Sequence, residues 1–484
     1  MAGLPKIASS SPGPYKETDT SELSARPRLV AGANDSDDQA FHYERPFSRA
    51  FRDSSEHRLV SRKRGIREDL LLTFCEPIPK ECLRLWFLSR AEWHEALHWL
   101  DLSGLALYFL DRLEQEDLCG LLPEFVLARL RRNLAENATR IRDLIAEWIA
   151  IQRSFMNADV SFATLKGFSL GPPSVPRLEL RSQLDLDFLV AESGAPEARR
   201  ILEARGFRLR AVSGRSWEFA AHDSQPMSLR DLYKSTPQRF VELHIESATS
   251  PSRLLERVEM RRLHGLNVPV LDPLDLFLGQ GLHIFKHLGG EFTRVAHILE
   301  FRRHMMAYSD DSLFWRRLRA RAEATPHHSV GLGVVVLLIT QLMGEFAPPA
   351  LTSWTVDRLT PQVRLWIEAC GPTAILADSP GTKLYLVLQE ALASAGIPAK
   401  RSTLQALFPR KLPPASVAIA RRGGTRLRIR HRWQRFRLIL IRARFHIVEG
   451  FRYWIAARRF RRELASRSAS QPAAREGSVP LTKQ

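Results

Sequence analysis

The chain has 484 residues, 44% of them hydrophobic, and a formal net charge of +18. That length exceeds one ordinary hydrophobic core and fits two or three globular units. The four cysteines show no CxxC pair and no metal-ligand spacing, which excludes a disulfide framework and reads as reduced thiols of a cytoplasmic-type protein.

Residues 1–57 are rich in Ser, Pro, Asp and Arg without sustained periodicity, and read as a disordered segment. No apolar core of 7–15 residues follows a basic start there, so no secretory signal is expected. A helical region follows over 58–158. Its last member is a long helix opening near Pro123, with Leu127, Leu130, Leu134, Ile141, Leu144, Trp148 and Ile151 near one face. Asn157-Ala158-Asp159 ends it.

The period then changes, and 159–270 reads as a small sheet-bearing unit. The stretch 160–165 is short and β-prone, and stops at Lys166-Gly167. A loop with Pro172, Pro173 and Pro176 leads to Leu184-Asp185-Leu186-Asp187-Phe188-Leu189-Val190. Side chains alternate along a strand, so Asp185 and Asp187 share one face, their Cα atoms about 6.6 Å apart, while Leu184, Leu186 and Phe188 take the other. Two carboxylates so spaced can converge on a hard divalent cation such as Mg²⁺. The strand alone fits a solvated acidic edge more readily. A helix with Ala198, Ile201 and Leu202 inward closes at Gly206, and two more strands are expected over 216–220 and 239–245.

From 271 to 397 the pattern is helical again. Asp272-Pro273 with Asp275 starts a helix and Gly289-Gly290 stops it; further helices are expected over 295–307, 311–323, 329–346, 359–370 and 381–395, with Gly371-Pro372 as a separator. The apolar run over 330–343 is broken by Thr340 and Gln341 and falls short of the roughly 20 residues that span a bilayer. Residues 398–484 read as a basic linker, an arginine-rich amphipathic helix and a disordered tail. Residues 421–467 hold 16 arginines, no lysine and two acids, a net +14, so the rest of the chain carries only +4. Trp433, Phe436, Leu440, Ala443, Ile447, Phe451 and Trp454 fall on one stripe. Over 421–464 this suits an anionic membrane surface, an RNA backbone with aromatics for stacking, or a helix that packs its stripe on the body.

Glu242 and His244 share one face of the later strand. If it pairs beside the first, Glu242 completes a three-carboxylate cluster able to bind one or two Mg²⁺ ions and stabilise displacement at an α-phosphorus. Lys166-Gly167, at a strand-to-loop turn, can face a triphosphate. His283 and His287 share a helix face at i, i+4. Zinc is disfavoured there, since no third ligand is in view, and a polar helix–helix contact competes with a phosphate contact by His283 or Lys286.

The ordered set Leu165-Lys166-Gly167, Arg181, Asp185-Leu186-Asp187-Phe188-Leu189-Val190, Glu242-Leu243-His244, Leu282-His283 and Lys286-His287 resembles the uncharacterised bacterial nucleotidyltransferases of the DNA polymerase beta superfamily. The likeness covers roughly 125–305. It implies an α+β fold, a minimal nucleotidyltransferase mixed sheet embedded in a largely helical chain. It implies Mg²⁺-dependent transfer, with Mn²⁺ as the alternative ion, of a nucleotidyl group from a nucleoside triphosphate to an unidentified acceptor hydroxyl, releasing pyrophosphate. By the same resemblance Asp185, Asp187 and Glu242 are metal ligands, with Glu242 also polarising or deprotonating the acceptor. Lys166 and Gly167 flank the triphosphate, Arg181 orients the loop or a phosphate, and His244, His283 and Lys286 line the nucleotide site. The expected setting is the cytoplasm or the inner face of its membrane. The competing functions are a catalytically silent scaffold that binds nucleotide or a partner, and a nucleic-acid-binding protein led by the arginine-rich helix.

Overall fold

The computed structural model describes residues 62–221, 231–235, 239–325, 327–398, 402–407 and 425–470. The expected disordered segment over 1–57 lies outside the described residues, as do most of the expected linker and residues 471–484 of the expected tail.

A first helix, α1, covers 62–72. It is followed by α2 (Arg90–Ser103), α3 (Ala106–Gln115) and the 34-residue α4 (Glu124–Asn157). The boundaries have local causes. Ser89 and Glu92 form a reciprocal capping box at the start of α2, and Gly104 ends it at φ 77°. Next come β1 (Phe162–Thr164), β2 (Asp185–Ala191), α5 (Ala195–Ala204), β3 (Phe207–Ser213), β4 (Ser216–Ala221), β5 (Phe240–Glu246), β6 (Val258–Leu263) and β7 (Leu266–Leu271). The helices that follow are α6 (Pro273–Leu288), α7 (Val295–Ala307), α8 (Ser312–Glu323), α9 (His328–Met343), α10 (Pro349–Thr352), α11 (Pro361–Ile375), α12 (Tyr385–Ala393) and α13 (Thr403–Leu407). The last is α14 (Thr425–Ser470). Asp272 caps α6 by accepting from the Leu274 and Asp275 amides, with Pro273 as its first residue.

The seven strands form one mixed sheet in the order β3-β4-β5-β2-β1-β7-β6. At its centre β2 runs parallel to β5, in the register Leu186↔Val241, Asp187↔Glu242, Phe188↔Leu243. Leu186, Phe188, Val190, Val241 and Leu243 pack on Ile141, Leu144, Trp148, Ile151 and Phe155 of α4 and on α5. This apolar face sets the register, because a one-residue slip would turn Asp187 into that core. The other face of β2 carries the two aspartates.

Three strands escaped the sequence reading. β3 and β6 are mostly exposed and rich in charge, and β7 contains Pro269, which ordinarily argues against a strand. The signal for β6 and β7 was the His264-Gly265 pair: both residues take positive φ, 49° and 81°, as a two-residue hairpin turn demands. Gly371-Pro372 is also corrected, since α11 runs through it. Gly371 is a packing residue there: an added Cβ would meet Leu338 Cδ1 of α9 at 2.7 Å. Helices α6–α12 share one large core with α1, α2 and α3, which Ala457 and Phe460 of α14 join. Among the described residues no helix is long and apolar enough to cross a membrane.

Candidate functional site

The parallel β2–β5 pair and the antiparallel β4–β5 pair set three acids side by side. Asp187 is in register with Glu242, and Glu242 with Glu218 on β4. Like charges directly across strands repel, so such a row is stable only with cations or hydrogen-bond donors beside it. Each acid has one. Lys166 Nζ lies 3.3 Å from Asp187 Oδ1, Arg210 Nη1 lies 3.1 Å from Glu218 Oε1, and the Ser216 hydroxyl donates to Glu242. His244, two residues beyond Glu242 on the same face of β5, turns Nε2 to within 3.3 Å of Asp187 Oδ1 and 3.7 Å of Glu242 Oε2.

One ligand atom from each of Asp187, Glu242 and His244 lies within 4.8 Å of the other two. The group is compatible with a divalent metal: two hard oxygen donors suit Mg²⁺ or Mn²⁺, and an imidazole is tolerated best by Mn²⁺. The expected trio was Asp185, Asp187 and Glu242, and the observed group differs by one member. Asp185 stands beside Phe240 in the register, one pleat short of the acids, so its neighbour on β5 offers no ligand. Its carboxyl instead lines a cleft of about 370 Å³ with Arg210, Glu218, Phe240 and Glu242. Glu246, next along the same strand face, is occupied otherwise: its carboxylate accepts the Leu254 and Leu255 amides.

Burial and the neighbouring charge of Asp187 push Asp185 up to about 6, with Lys166 and Arg181 pulling the other way. Burial also favours the neutral form of Asp187. The hydrogen bond from His244 and the Lys166 ammonium outweigh it and hold this carboxyl well below the usual carboxylate range. Two aspartates on one strand thus differ in proton affinity, and at neutral pH both are ionised, with Asp185 closest to taking a proton.

Lys166 follows β1, whose register with β2 continues in the bond from the Leu165 amide to the Asp187 carbonyl, 3.3 Å. Gly167 has φ 64° and is buried against Gln183, whose Nε2 donates to the Asp185 carbonyl at 2.7 Å. The Lys-Gly turn therefore touches the start of β2 through Gln183. Arg181 is drawn into the body. Its Nε meets Glu300 Oε1 at 3.1 Å, Tyr108 donates to the same carboxylate at 2.9 Å, and Nη1 donates to Gln183 at 3.2 Å. It thus anchors the approach to β2 on α3 and α7.

His283 and His287 of α6 meet edge-on, ring centroids 4.4 Å apart, and His297 of α7 lies 5.5 and 6.1 Å from them, edge-on to His283 and tilted to His287. Burial, and then the charges of Lys166 and His287, lower His283 to about 3, so the ring is neutral beside the Lys166–Asp187 pair. Lys286 is exposed, and its charge depresses both histidines.

Ser216, Glu218 and Arg210 were missed, since only strand pairing reveals them, and Gln183 was missed because its role comes from packing on Gly167 in the loop before β2. Arg140 and Asn137 did leave a signal, as polar residues inside the apolar stripe of α4. Asn137 is fully buried and donates to the Glu179 and Arg181 carbonyls at 2.7 and 3.1 Å. Arg140 donates to the Leu232 carbonyl at 3.0 Å, within electrostatic reach of Asp185.

A family model described as an uncharacterised nucleotidyltransferase matches residues 89–344, more than half of the chain. Among solved structures, an antigenic nucleotidyltransferase-like protein from Paracoccidioides brasiliensis aligns at 12% identity over 45% of this chain and 98% of that one. Its TM-score is 0.27, too low for the likeness to bear on fold or mechanism. No curated protein matches.

Proposed function

We propose that this chain, which belongs to the family of uncharacterised nucleotidyltransferases, moves a nucleotidyl group from a nucleoside triphosphate to an acceptor hydroxyl. The observation that carries the reading is the in-register row of Asp187, Glu242 and Glu218, closed by His244 and faced by Lys166, with Glu242 and Glu218 lining a cleft. The finer assignment to the DNA polymerase beta superfamily rests on the order of Leu165-Lys166-Gly167, Asp185-Leu186-Asp187 and Glu242-Leu243-His244. On this reading 159–270 is the transferase core and the helical regions on either side are its support.

The acceptor oxygen bonds to the α-phosphorus, the bond to the bridging oxygen breaks, and pyrophosphate leaves. Asp187, Glu242 and His244 would hold the divalent ion, and Asp185, on the same face of β2 as Asp187, would join them when it binds. The ion, Mg²⁺ or Mn²⁺, supplies charge neutralisation of the phosphates when bound. Glu242, which belongs both to the metal group and to the cleft wall, polarises the acceptor hydroxyl and takes its proton as the oxygen bonds to phosphorus. Lys166 exchanges its contact with Asp187 for the triphosphate, since an ammonium serves a phosphate as a compact point charge. Gly167 lets the turn come close, and Arg181 positions the loop between them. His283, neutral and beside Lys166, donates to a phosphate or base without adding charge, and Lys286 adds a positive field from the rim.

The Lys166–Asp187 contact also favours a second reading, in which the ammonium replaces the metal and the protein binds nucleotide without turnover. One experiment separates the two. The protein is incubated with each α-labelled nucleoside triphosphate, Mg²⁺ or Mn²⁺, and cell extract, beside an Asp185→Ala/Asp187→Ala variant. Transfer of label by the wild type alone supports the enzyme. Equal transfer by both proteins refutes it, and nucleotide binding with no transfer by either supports the silent scaffold.

A further inference from the structure

The arginine-rich helix is bound to the body by one face and leaves another apolar face uncovered. Phe445, Glu449, Ala457 and Phe460 of α14 are buried. Glu449 accepts the Lys383 amide at 3.4 Å, and Lys383 Nζ sits 5.7 Å from the centre of the Phe445 ring. Arg442, Arg461 and Arg467 reach Glu291, Glu390 and Glu368 at 3.1, 2.7 and 3.0 Å. These contacts hold the helix by the side that carries Phe445, Glu449 and Phe460.

Trp433, Phe436, Leu440, Ile447, Phe451 and Trp454 do not share that side. Their spacings of three, four and seven residues keep them on one stripe, and all six are 51–70% exposed. The stripe spans 21 residue rises, about 32 Å of straight helix. Exposed apolar patches of this extent mark interaction sites. What borders it is charge of one sign. Arg437, Arg444, Arg458 and Arg462 are exposed and, among the described residues, have no carboxylate partner, whereas the two acids of α14 are both engaged, Glu449 by Arg452 and Glu463 by Arg467. Arg458 also lies over the Trp454 ring, 5.5 Å from its centre, which keeps an amphipathic aromatic beside a cation.

We propose that this face of α14 docks the protein on a membrane surface rich in anionic lipids, with the helix lying in the plane of the bilayer. The amphipathic rings of Trp433 and Trp454 and the aliphatic Leu440 and Ile447 together suit the boundary between headgroups and acyl chains, where the apolar face of an in-plane helix lies. The aromatics alone would also suit stacked bases. The stripe is continued, however, by the exposed aliphatic Leu440 and Ile447, whose surface gains by leaving water for an acyl boundary and not by contact with a polar backbone, which favours lipid over RNA. The arginines supply the match to lipid phosphate. The helix is too polar to span the bilayer, so the attachment is peripheral and salt-sensitive. It would confine the chemistry of the chain to acceptors near that surface, whatever their identity.

Flotation of the full chain with phosphatidylcholine vesicles, with and without phosphatidylglycerol, tests this. Binding is expected only with phosphatidylglycerol and should fall as salt rises. Each arginine near such a surface is worth roughly fivefold in partitioning, so Arg444→Gln/Arg458→Gln should weaken it about 25-fold. Ile447→Ser/Phe451→Ser removes two apolar anchors that the bilayer would bury and should weaken it about 100-fold. Both variants should melt as the wild type does, because neither pair touches the body. The proposal falls if the wild type does not float with anionic vesicles, or if both folded variants float as well as it does. It falls equally if the stripe substitutions abolish only RNA retention or self-association, with no flotation by the wild type.

Discussion

Replacing Gly167 with alanine tests how the turn after β1 is tied to the first aspartate of β2. Gly167 has φ 64°, and an added Cβ would lie 2.3 Å from Gln183 Nε2. An L-residue held in the left-handed region costs about 1–2 kcal/mol. Gln183 must also move, and its amide is engaged at both ends, with the Asp185 carbonyl at 2.7 Å and Arg181 Nη1 at 3.2 Å. Losing those two hydrogen bonds, one of them to a charged donor, adds about 1–3 kcal/mol. The expected destabilisation is therefore about 3 kcal/mol, read from the midpoint of urea unfolding at constant slope. In a Gln183→Ala background the steric conflict is gone, and Gly167→Ala should cost only its backbone share, about 1–2 kcal/mol. The coupling between the two positions is then about 2 kcal/mol, within the range for contacting residues. An equal cost in both backgrounds would refute the contact, and a cost under about 0.5 kcal/mol in the wild type would refute the strained turn as well.

Lys166→Met should free Asp187 for a metal while removing a phosphate contact. Mg²⁺ should then raise the melting temperature at lower concentration, while triphosphate affinity falls roughly tenfold; no change in either rejects the assigned role. His283 and His304 sit below their ordinary value, at about 3 and about 4, chiefly through burial. A histidine depressed in the fold contributes stability that is present above pH 6.5 and is lost as pH falls toward the folded value. Unfolding midpoints should therefore drop between pH 6.5 and 4, by about 3 kcal/mol for His304 alone. Asp185, raised to about 6, partly opposes this by gaining stability as it protonates. A profile for His304→Gln as steep as that of the wild type would contradict the assignment. Lys383, 1% exposed with Nζ 2.7 Å from Glu291 and 2.5 Å from the Ala406 carbonyl, is a buried anchor for α13 and α14. Lys383→Met should cost roughly 3 kcal/mol and speed hydrogen exchange along α14; unchanged protection there would show that the helix is held by other contacts.

How far the site could be read from sequence differs residue by residue. The face shared by Asp185 and Asp187, the face shared by Glu242 and His244, the glycine turn beside Lys166, and the capped start of α6 at Asp272 are consequences of local periodicity and local hydrogen bonding. Each is legible because a strand alternates with period two and a helix start needs acceptors for its free amides. The stripe on α14 is of the same kind. Its exposure is not, because periodicity names an apolar face without saying what covers it.

Which residues meet is another matter, since neighbours across strands are chosen by packing. The fit of Leu186, Phe188, Val241 and Leu243 under α4 sets β2 and β5 in parallel register, and that register puts Asp187 beside Glu242 and Asp185 beside Phe240. It thereby brings His244 to the two acids, adds Glu218 from β4, and leaves Asp185 to the cleft. The sequence by itself determined the chemical types and the faces on which they stand, because those follow from the geometry of single elements. Only the tertiary structure decided the grouping, because long-range pairing depends on burying the opposite, apolar face.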